Sequence, residues 1–273
     1  MSTLCYVNGE ILSTSDGVIG VSDLALQRGY GVFDYARTYN RRLFHFSDTL
    51  QRFRFSASEL YLKPPISDAE ITAVSERLIQ ESILNNPAIR LILTGGYSAS
   101  PFLQSPNFII IAEELPTHPA SVYRLGAKLI TVNYQRELPQ VKSINYLNAI
   151  RLEYLKREKE AFDILYHSAN GVTECPRSNF FVFQGDTLVT PSSHILFGNT
   201  RKIVLKLASD HFPIEERKID PVELSSIDEA FVTSTSKRII PVTTIDAHQV
   251  GTGLVGERTR TLMRLFDEYT ENY

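Results

Sequence analysis

Two short runs carry the residue types that carbonyl chemistry needs. In Gln140-Val141-Lys142-Ser143-Ile144-Asn145-Tyr146 a lysine lies between β-rich residues and what reads as the start of a helix. A lysine drawn out of water loses solvation, its pKa falls, and the neutral amine attacks carbonyl carbon. The alternative is a solvated surface charge, the commonest fate of a lysine. In Val172-Thr173-Glu174-Cys175-Pro176-Arg177-Ser178-Asn179-Phe180-Phe181 a glutamate leads into an apolar run. A carboxylate there needs a partner. A protonated pyridine nitrogen is one, a nearby arginine is another, and an ordinary ion pair is the plainer reading.

Three further places suit a phosphate. Phe197-Gly198-Asn199-Thr200-Arg201 puts a glycine before a helix that begins near Thr200, and Thr233-Ser234-Thr235-Ser236 follows the strand Ala230-Phe231-Val232. Backbone N–H groups and hydroxyls at such junctions bind phosphate, although Thr and Ser more often simply cap a helix there. Arg52, in a helix, is either a phosphate clamp or a surface residue.

The elements that must position these residues are mixed. Asn8-Gly9 inside Tyr6–Leu12 predicts a hairpin. Val32–Tyr39 and Leu43–Phe46 around Asn40-Arg41-Arg42 predict a second. Helices are expected over 47–61 and from Ser67, where Glu70 completes a capping box, to about Asn85-Asn86-Pro87. Residues 89–94 and 108–112 read as strands, and Leu115-Pro116-Thr117-His118-Pro119 as a linker, because its prolines break helix and central strand alike. Beyond it, strands are expected at 128–134, 163–167, 172–183, 188–190 and 229–233. Helices are expected at 144–160, 200–209 and 257–269. The result is an α/β (α+β mixed) chain of two α/β domains: 1–115, a linker at 116–122, and 123–273.

Bulk properties narrow the function. The 273 residues carry a net charge of −3 with both signs interspersed, a surface with no general attraction for nucleic acid or an anionic membrane. No apolar run reaches the roughly 18 residues of a membrane span. The N-terminus shows no basic region followed by an apolar stretch, so no signal peptide is expected. Cys5 and Cys175 make no disulfide framework and suit a reducing compartment, so a cytoplasmic protein without a metal centre is expected.

Each motif is weak alone, but their order is not. Asn8-Gly9, Gly31-Val32-Phe33-Asp34, Arg52-Phe53-Arg54-Phe55-Ser56-Ala57, Lys142-Ser143-Ile144-Asn145-Tyr146, Glu174 to Asn179, Thr190-Pro191, Gly198-Asn199-Thr200-Arg201 and Thr233-Ser234-Thr235 before Pro241-Val242 follow one another along nearly the whole chain. In this order they resemble the fold-type IV pyridoxal-phosphate enzymes: D-amino-acid transaminases, branched-chain aminotransferases and aminodeoxychorismate lyases. The resemblance implies pyridoxal 5'-phosphate as cofactor, with the active site between two domains and Lys142, on the C-terminal domain, as Schiff-base lysine and proton carrier. It implies Glu174 at the pyridine nitrogen. The phosphate contacts fall on Arg52, Asn199, Thr200, Ser234 and Thr235. Tyr146 matches a tyrosine that branched-chain enzymes aim at the phenolic oxygen of the cofactor. A homodimer is implied too, with a loop carrying Arg28 completing the neighbour's site.

The substrates implied are amino acids and 2-oxo acids, whose α-carboxylate needs a cationic or N–H-rich anchor. Well-studied D-amino-acid transaminases place an arginine and a histidine after the turn that matches Thr94-Gly95-Gly96; here the run is Tyr97-Ser98-Ala99-Ser100-Pro101, with no cation. Branched-chain enzymes follow the glutamate with a glycine-rich turn; here Ser178-Asn179 is closer to the D-amino-acid and lyase branches. The expectation is a D-amino-acid transaminase whose carboxylate anchor has moved to Arg28, in a glycine-flanked loop, and Arg90, on a strand. An L-branched-chain aminotransferase comes second and an aminodeoxychorismate lyase third.

Overall fold

The structure is a computed structural model that describes residues 3–97 and 105–273. By its contacts the chain divides into two compact units. One runs to Pro116 and includes Val141–Asn145 and Tyr273; the other comprises Thr117–Gln140 and Tyr146–Asn272.

The first unit opens with the expected hairpin, β1 (Leu4–Val7) and β2 (Glu10–Ser13), turning on Asn8 and Gly9, both at positive φ. There follow α1 (Leu24–Arg28), β3 (Gly31–Ala36), β4 (Thr38–Tyr39), β5 (Arg42–Leu43), α2 (Phe46–Glu59), α3 (Asp68–Glu81), β6 (Ala88–Thr94) and β7 (Phe108–Glu113). The sheet is antiparallel throughout, in the order β2-β1-β7-β6-β3. The second expected hairpin is narrower than predicted: only β4 and β5 pair, around Asn40 and Arg41 at positive φ, while β3 pairs with β6. The capping box of α3 forms as predicted, Ser67 N donating to Glu70 Oε2 at 2.8 Å and Glu70 N to Ser67 Oγ at 3.3 Å. The helix stops at Glu81, four residues before the Asn-Asn-Pro signal. Phe53 of α2, Ile71 and Leu78 of α3, and Leu91, Leu93, Phe108 and Ile110 of the sheet are fully buried in one core. That core fixes α2 and α3 to one face of the sheet, and the alternating residues Phe33, Tyr35 and Arg90 lie on the other.

The second unit contains α4 (Ala120–Leu125), β8 (Ala127–Asn133), α5 (Leu147–Arg151), α6 (Glu153–Glu158), β9 (Asp163–Ser168), β10 (Gly171–Val172), β11 (Glu174–Cys175), β12 (Ser178–Gln184), β13 (Thr187–Thr190), α7 (Asn199–Ala208), β14 (Ile214–Glu216), β15 (Glu229–Ser234), β16 (Arg238–Ile245), β17 (His248–Gln249) and α8 (Glu257–Glu271). Its sheet runs β10-β9-β8-β16-β15-β12-β13-β14, with β11 on β12 and β17 on β16. Pairings are antiparallel except β8 with β9, β8 with β16, and β13 with β14.

The structure departs from the sequence expectations in this unit. The single helix over 144–160 does not form: residues 141–145 are not helical, and two short helices, α5 and α6, follow. The single strand over 172–183 is broken. Pro176 and Arg177 turn the chain so that β11 folds back on β12, pairing Glu174 with Asn179. Strand β16, over residues for which no strand is expected from the sequence, sits between β8 and β15 and contains Pro241. The linker is also partly ordered, since α4 begins at Ala120.

Candidate active site

Lys142 belongs to the first unit by its contacts, not to the C-terminal one. Its segment lines the edge of β3 that β6 does not use. Phe33 N donates to Lys142 O at 2.9 Å, Ile144 N donates to Gly31 O at 3.1 Å, and Val32 and Ser143 form an antiparallel bridge. Lys142 N donates to Ser56 Oγ of α2 at 3.0 Å. Gly31 is closely packed on both edges: a Cβ there would lie 2.8 Å from Leu93 O of β6 and 3.0 Å from Ile144 Cδ1. The half-buried side chain brings Nζ to 4.5 Å from the centroid of the Phe33 ring.

Arg90 meets the same ring. It lies opposite Tyr35 in the β3–β6 register, and its guanidinium carbon is 5.7 Å from the Phe33 centroid and 4.9 Å from that of Tyr35. Ile89 and Leu91 are fully buried, while Arg90 between them is half-exposed on the opposite face, as strand alternation requires. There Arg90 forms a two-pronged ion pair with Glu113 of β7, Nε to Oε2 at 3.0 Å. Burial first, then the Glu113 charge, pushes the Tyr35 hydroxyl pKa well up, so it stays a neutral phenol.

Arg28 is not in a loop. It is the exposed last residue of α1, followed by Gly29 in the left-handed region at φ 64°. The start of α1 is pinned by Asp23, fully buried, whose Oδ1 accepts from Ala25 N at 2.6 Å. Its Oδ2 accepts from Thr94 Oγ1 at 2.7 Å and from Asn107 Nδ2 at 2.5 Å. This carboxylate fixes α1 beside the Thr94-Gly95 turn, and sequence reading passed over it. The cation-free run expected after that turn lies, from Ser98 to Pro101, outside the described residues. Arg52 is bound bidentately by the fully buried Asp34, Nε to Oδ2 at 2.9 Å and Nη2 to Oδ1 at 2.7 Å. It lies one helical turn before Ser56, the residue that holds the Lys142 backbone.

In the second unit Glu174 is buried and fully engaged. Oε1 accepts from Arg136 Nη1 at 2.7 Å; Oε2 accepts from Leu196 N at 3.0 Å and Asn179 Nδ2 at 3.3 Å. Of the partners the sequence left open, an arginine is therefore present. Burial alone would lower the Arg136 pKa, but the Glu174 charge and then Tyr146 turn the net shift upward, so the pair is ionised. Tyr146, half-buried at the start of α5, also faces Arg177, 5.7 Å from its ring centroid. Asn179 continues the network: Nδ2 donates to Leu196 O at 2.7 Å and Oδ1 accepts from Gly198 N at 3.1 Å. Gly198 is the N-cap of α7 and offers no side chain to its first turn, formed by Asn199 and the buried Thr200.

Ser234 ends β15 and Thr235 begins the following turn. Lys237 closes that turn: its N donates to Ser234 Oγ at 3.2 Å, while its buried Nζ is bound by Asp163 and by Ser178 Oγ at 2.6 Å. Thr233 lies directly opposite Asn179 in the β12–β15 register, and its hydroxyl is buried with no hydrogen-bond partner.

These residues fit pyridoxal phosphate. An ionised buried carboxylate suits a cationic ring nitrogen. A helix N-terminus without a side-chain cap suits a phosphate dianion. The orphaned Thr233 hydroxyl, on the strand that leads to Ser234, marks a place where a polar ligand is expected.

Residues 31–245 match the family model of the class IV amino-transferases. The chain is 28% identical to a D-alanine aminotransferase of Listeria monocytogenes, over 96% of this chain and 94% of that one. It is 28% identical to a D-alanine aminotransferase of Staphylococcus aureus, over 98% of each. Among solved structures, the T.th. branched-chain amino acid aminotransferase with pyridoxamine 5'-phosphate superposes with a TM-score of 0.93 at 23% identity, covering 100% of this chain and 95% of that one. The Escherichia coli branched-chain enzyme gives 0.91 at 24%, covering 98% and 94%. The chain belongs to the class IV aminotransferases, the fold-type IV pyridoxal-phosphate enzymes.

Proposed function

Starting from that membership, we propose that this enzyme is a D-amino-acid transaminase. It moves an amino group between a donor of the D-alanine or D-glutamate type and a 2-oxo acid such as 2-oxoglutarate or pyruvate. The observation that carries the reading is Phe33, which has Lys142 Nζ at 4.5 Å and the Arg90 guanidinium at 5.7 Å from its centroid. An amine that handles the α-proton needs a carboxylate anchor close by, and Arg90 is placed to be one. Arg28, presented at the end of α1, is the second anchor. The D-alanine aminotransferases it matches along nearly their whole length favour the D-series.

Bound pyridoxal phosphate supplies the electron-withdrawing ring that amino transfer requires. The chain supplies the rest. Lys142 Nζ holds the cofactor covalently and carries the proton once released. Glu174, paired with Arg136, would meet the ring nitrogen. Asn199, Thr200, Ser234, Thr235 and Arg52 would hold the phosphate, and Tyr146 would meet the phenolic oxygen.

The enzyme works as a homodimer in the cytoplasm, with Arg28 reaching the neighbouring site. In support, Val18, Val21 and Leu26, in the segment that precedes Arg28, are 79%, 81% and 70% exposed, apolar surface that a second copy would cover. Sedimentation showing a fully active monomer excludes this. Among the described residues no helix is long and apolar enough to cross a membrane.

A donor panel tests the substrate. D-alanine and D-glutamate should outpace their L forms with 2-oxoglutarate or pyruvate. Faster turnover of L-leucine or L-valine would establish the second reading, an L-branched-chain aminotransferase, which Tyr146 and the branched-chain fold likeness favour.

A further inference from the structure

We propose that Asn179 is a positioning residue that sets the distance between the Glu174 carboxylate and the N-terminus of α7, and so tunes how tightly the cofactor is held. The inference rests on the reading that Glu174 meets the ring nitrogen and the first turn of α7 the phosphate. The ring nitrogen and the phosphate lie on one small molecule, joined through the rigid ring and a short methylene ester, so their separation varies over a narrow range and the protein groups that bind them must keep to it.

Asn179 is the one side chain in the hydrogen bonds described above that bonds to both ends. Its amide nitrogen donates to Glu174 Oε2 at 3.3 Å and to Leu196 O at 2.7 Å; its amide oxygen accepts from Gly198 N at 3.1 Å. Leu196 N in turn donates to the same Glu174 oxygen at 3.0 Å, so the strand residue, the carboxylate and the loop into α7 close into one network. Asn179 is 5% exposed and lies on β12 between β11 and β15, a position with little freedom to shift.

Gly198 gives independent support. Its φ of −70° is open to any residue, so backbone conformation does not demand glycine. The demand is steric: a Cβ there would lie 2.2 Å from Asn179 Oδ1. The helix cap is a glycine because the asparagine needs the space.

The test uses apo-enzyme titrated with pyridoxal phosphate, followed by protein fluorescence and by the visible absorbance of the bound cofactor. N179A removes the three bonds that the Asn179 side chain makes and should weaken cofactor affinity by about tenfold, the scale of a buried hydrogen-bonding side chain. N179D keeps the shape and the acceptor for Gly198 but loses both donated bonds, and should lose a similar amount even if N179A proves unstable. G198A should also weaken affinity, yet N179A/G198A should be no worse than N179A, since the clash leaves with the asparagine side chain. At saturating cofactor the donor KM should stay as in wild type while kcat falls. Wild-type affinity in N179A or N179D, or full additivity in the double variant, overturns the proposal. Absence of cofactor binding by the wild-type chain would overturn the underlying functional reading instead, which keeps the two failures distinct.

Discussion

Glu174 and Glu113 are each held by an arginine, in opposite settings. The Arg136–Glu174 side chains are 15% and 5% exposed, and the carboxylate is also bound by a backbone N–H and an amide. The Arg90–Glu113 side chains are 32% and 27% exposed, and their guanidinium lies over the Phe33 and Tyr35 rings. A buried pair loses its partner only at great cost, whereas a half-exposed one exchanges partners cheaply because water compensates both. The difference matches the tasks proposed for the two ends. The cofactor end is fixed before binding, and the substrate end keeps an arginine that can trade one carboxylate for another.

The most severe test removes the amine that shares Phe33 with Arg90. Lys142→Ala should abolish transamination and the visible absorbance of the covalently held cofactor; turnover in the purified variant would remove Lys142 from the chemistry. Next, Glu174→Gln should lose about 3 kcal/mol of transition-state stabilisation, roughly a hundredfold in kcat. It also leaves Arg136 buried without its anion, so a fall in melting temperature should accompany the rate loss. Unchanged turnover would make Glu174 a structural carboxylate and end the contrast. Arg90→Leu should raise the donor KM by about tenfold or more, as expected for losing a charged hydrogen bond of roughly 1.5–3 kcal/mol, with cofactor affinity unchanged. Normal donor saturation would show that the carboxylate is anchored elsewhere. Glu113→Gln is the mildest: a half-exposed pair contributes under about 1 kcal/mol, so stability should barely move and the donor KM should change little. A collapse in stability would show that Arg90–Glu113 is as indispensable as the buried pair.

Sequence reading captured what local chemistry encodes. Asn8-Gly9 and the Ser67/Glu70 capping box form because a few consecutive residues decide them. Lys142 and Glu174 stood out because a lysine or glutamate within apolar surroundings is conspicuous. Arg136 and Asp23 did not, since each acts on partners remote in the chain: Arg136 reaches Glu174 across 38 positions and Asp23 reaches Asn107 across 84. No local pattern reports such a pairing. Residues 144–160 misled because Ile144 and its neighbours pair with β3 instead of extending the helix, a tertiary override of propensity. Strand β16 was missed, and in it Pro241 lies opposite Phe231 without ending the ladder with β15.

The strand-like segment at Lys142 has a consequence for biosynthesis. Chains fold as they are made, N-terminal part first. The sheet of the first unit can assemble once β7 has left the ribosome, but β3, at its edge, then waits for Val141–Asn145 to supply Val32 and Ser143 with their bridge. Until then the nascent protein carries an open β-edge, the feature by which chains stick to one another. A fragment ending at Pro116 is therefore expected to aggregate more readily than one ending after Asn145, a comparison that light scattering of the two would decide. Lys142, the residue proposed to hold the cofactor, thus belongs to the segment that closes this β-edge.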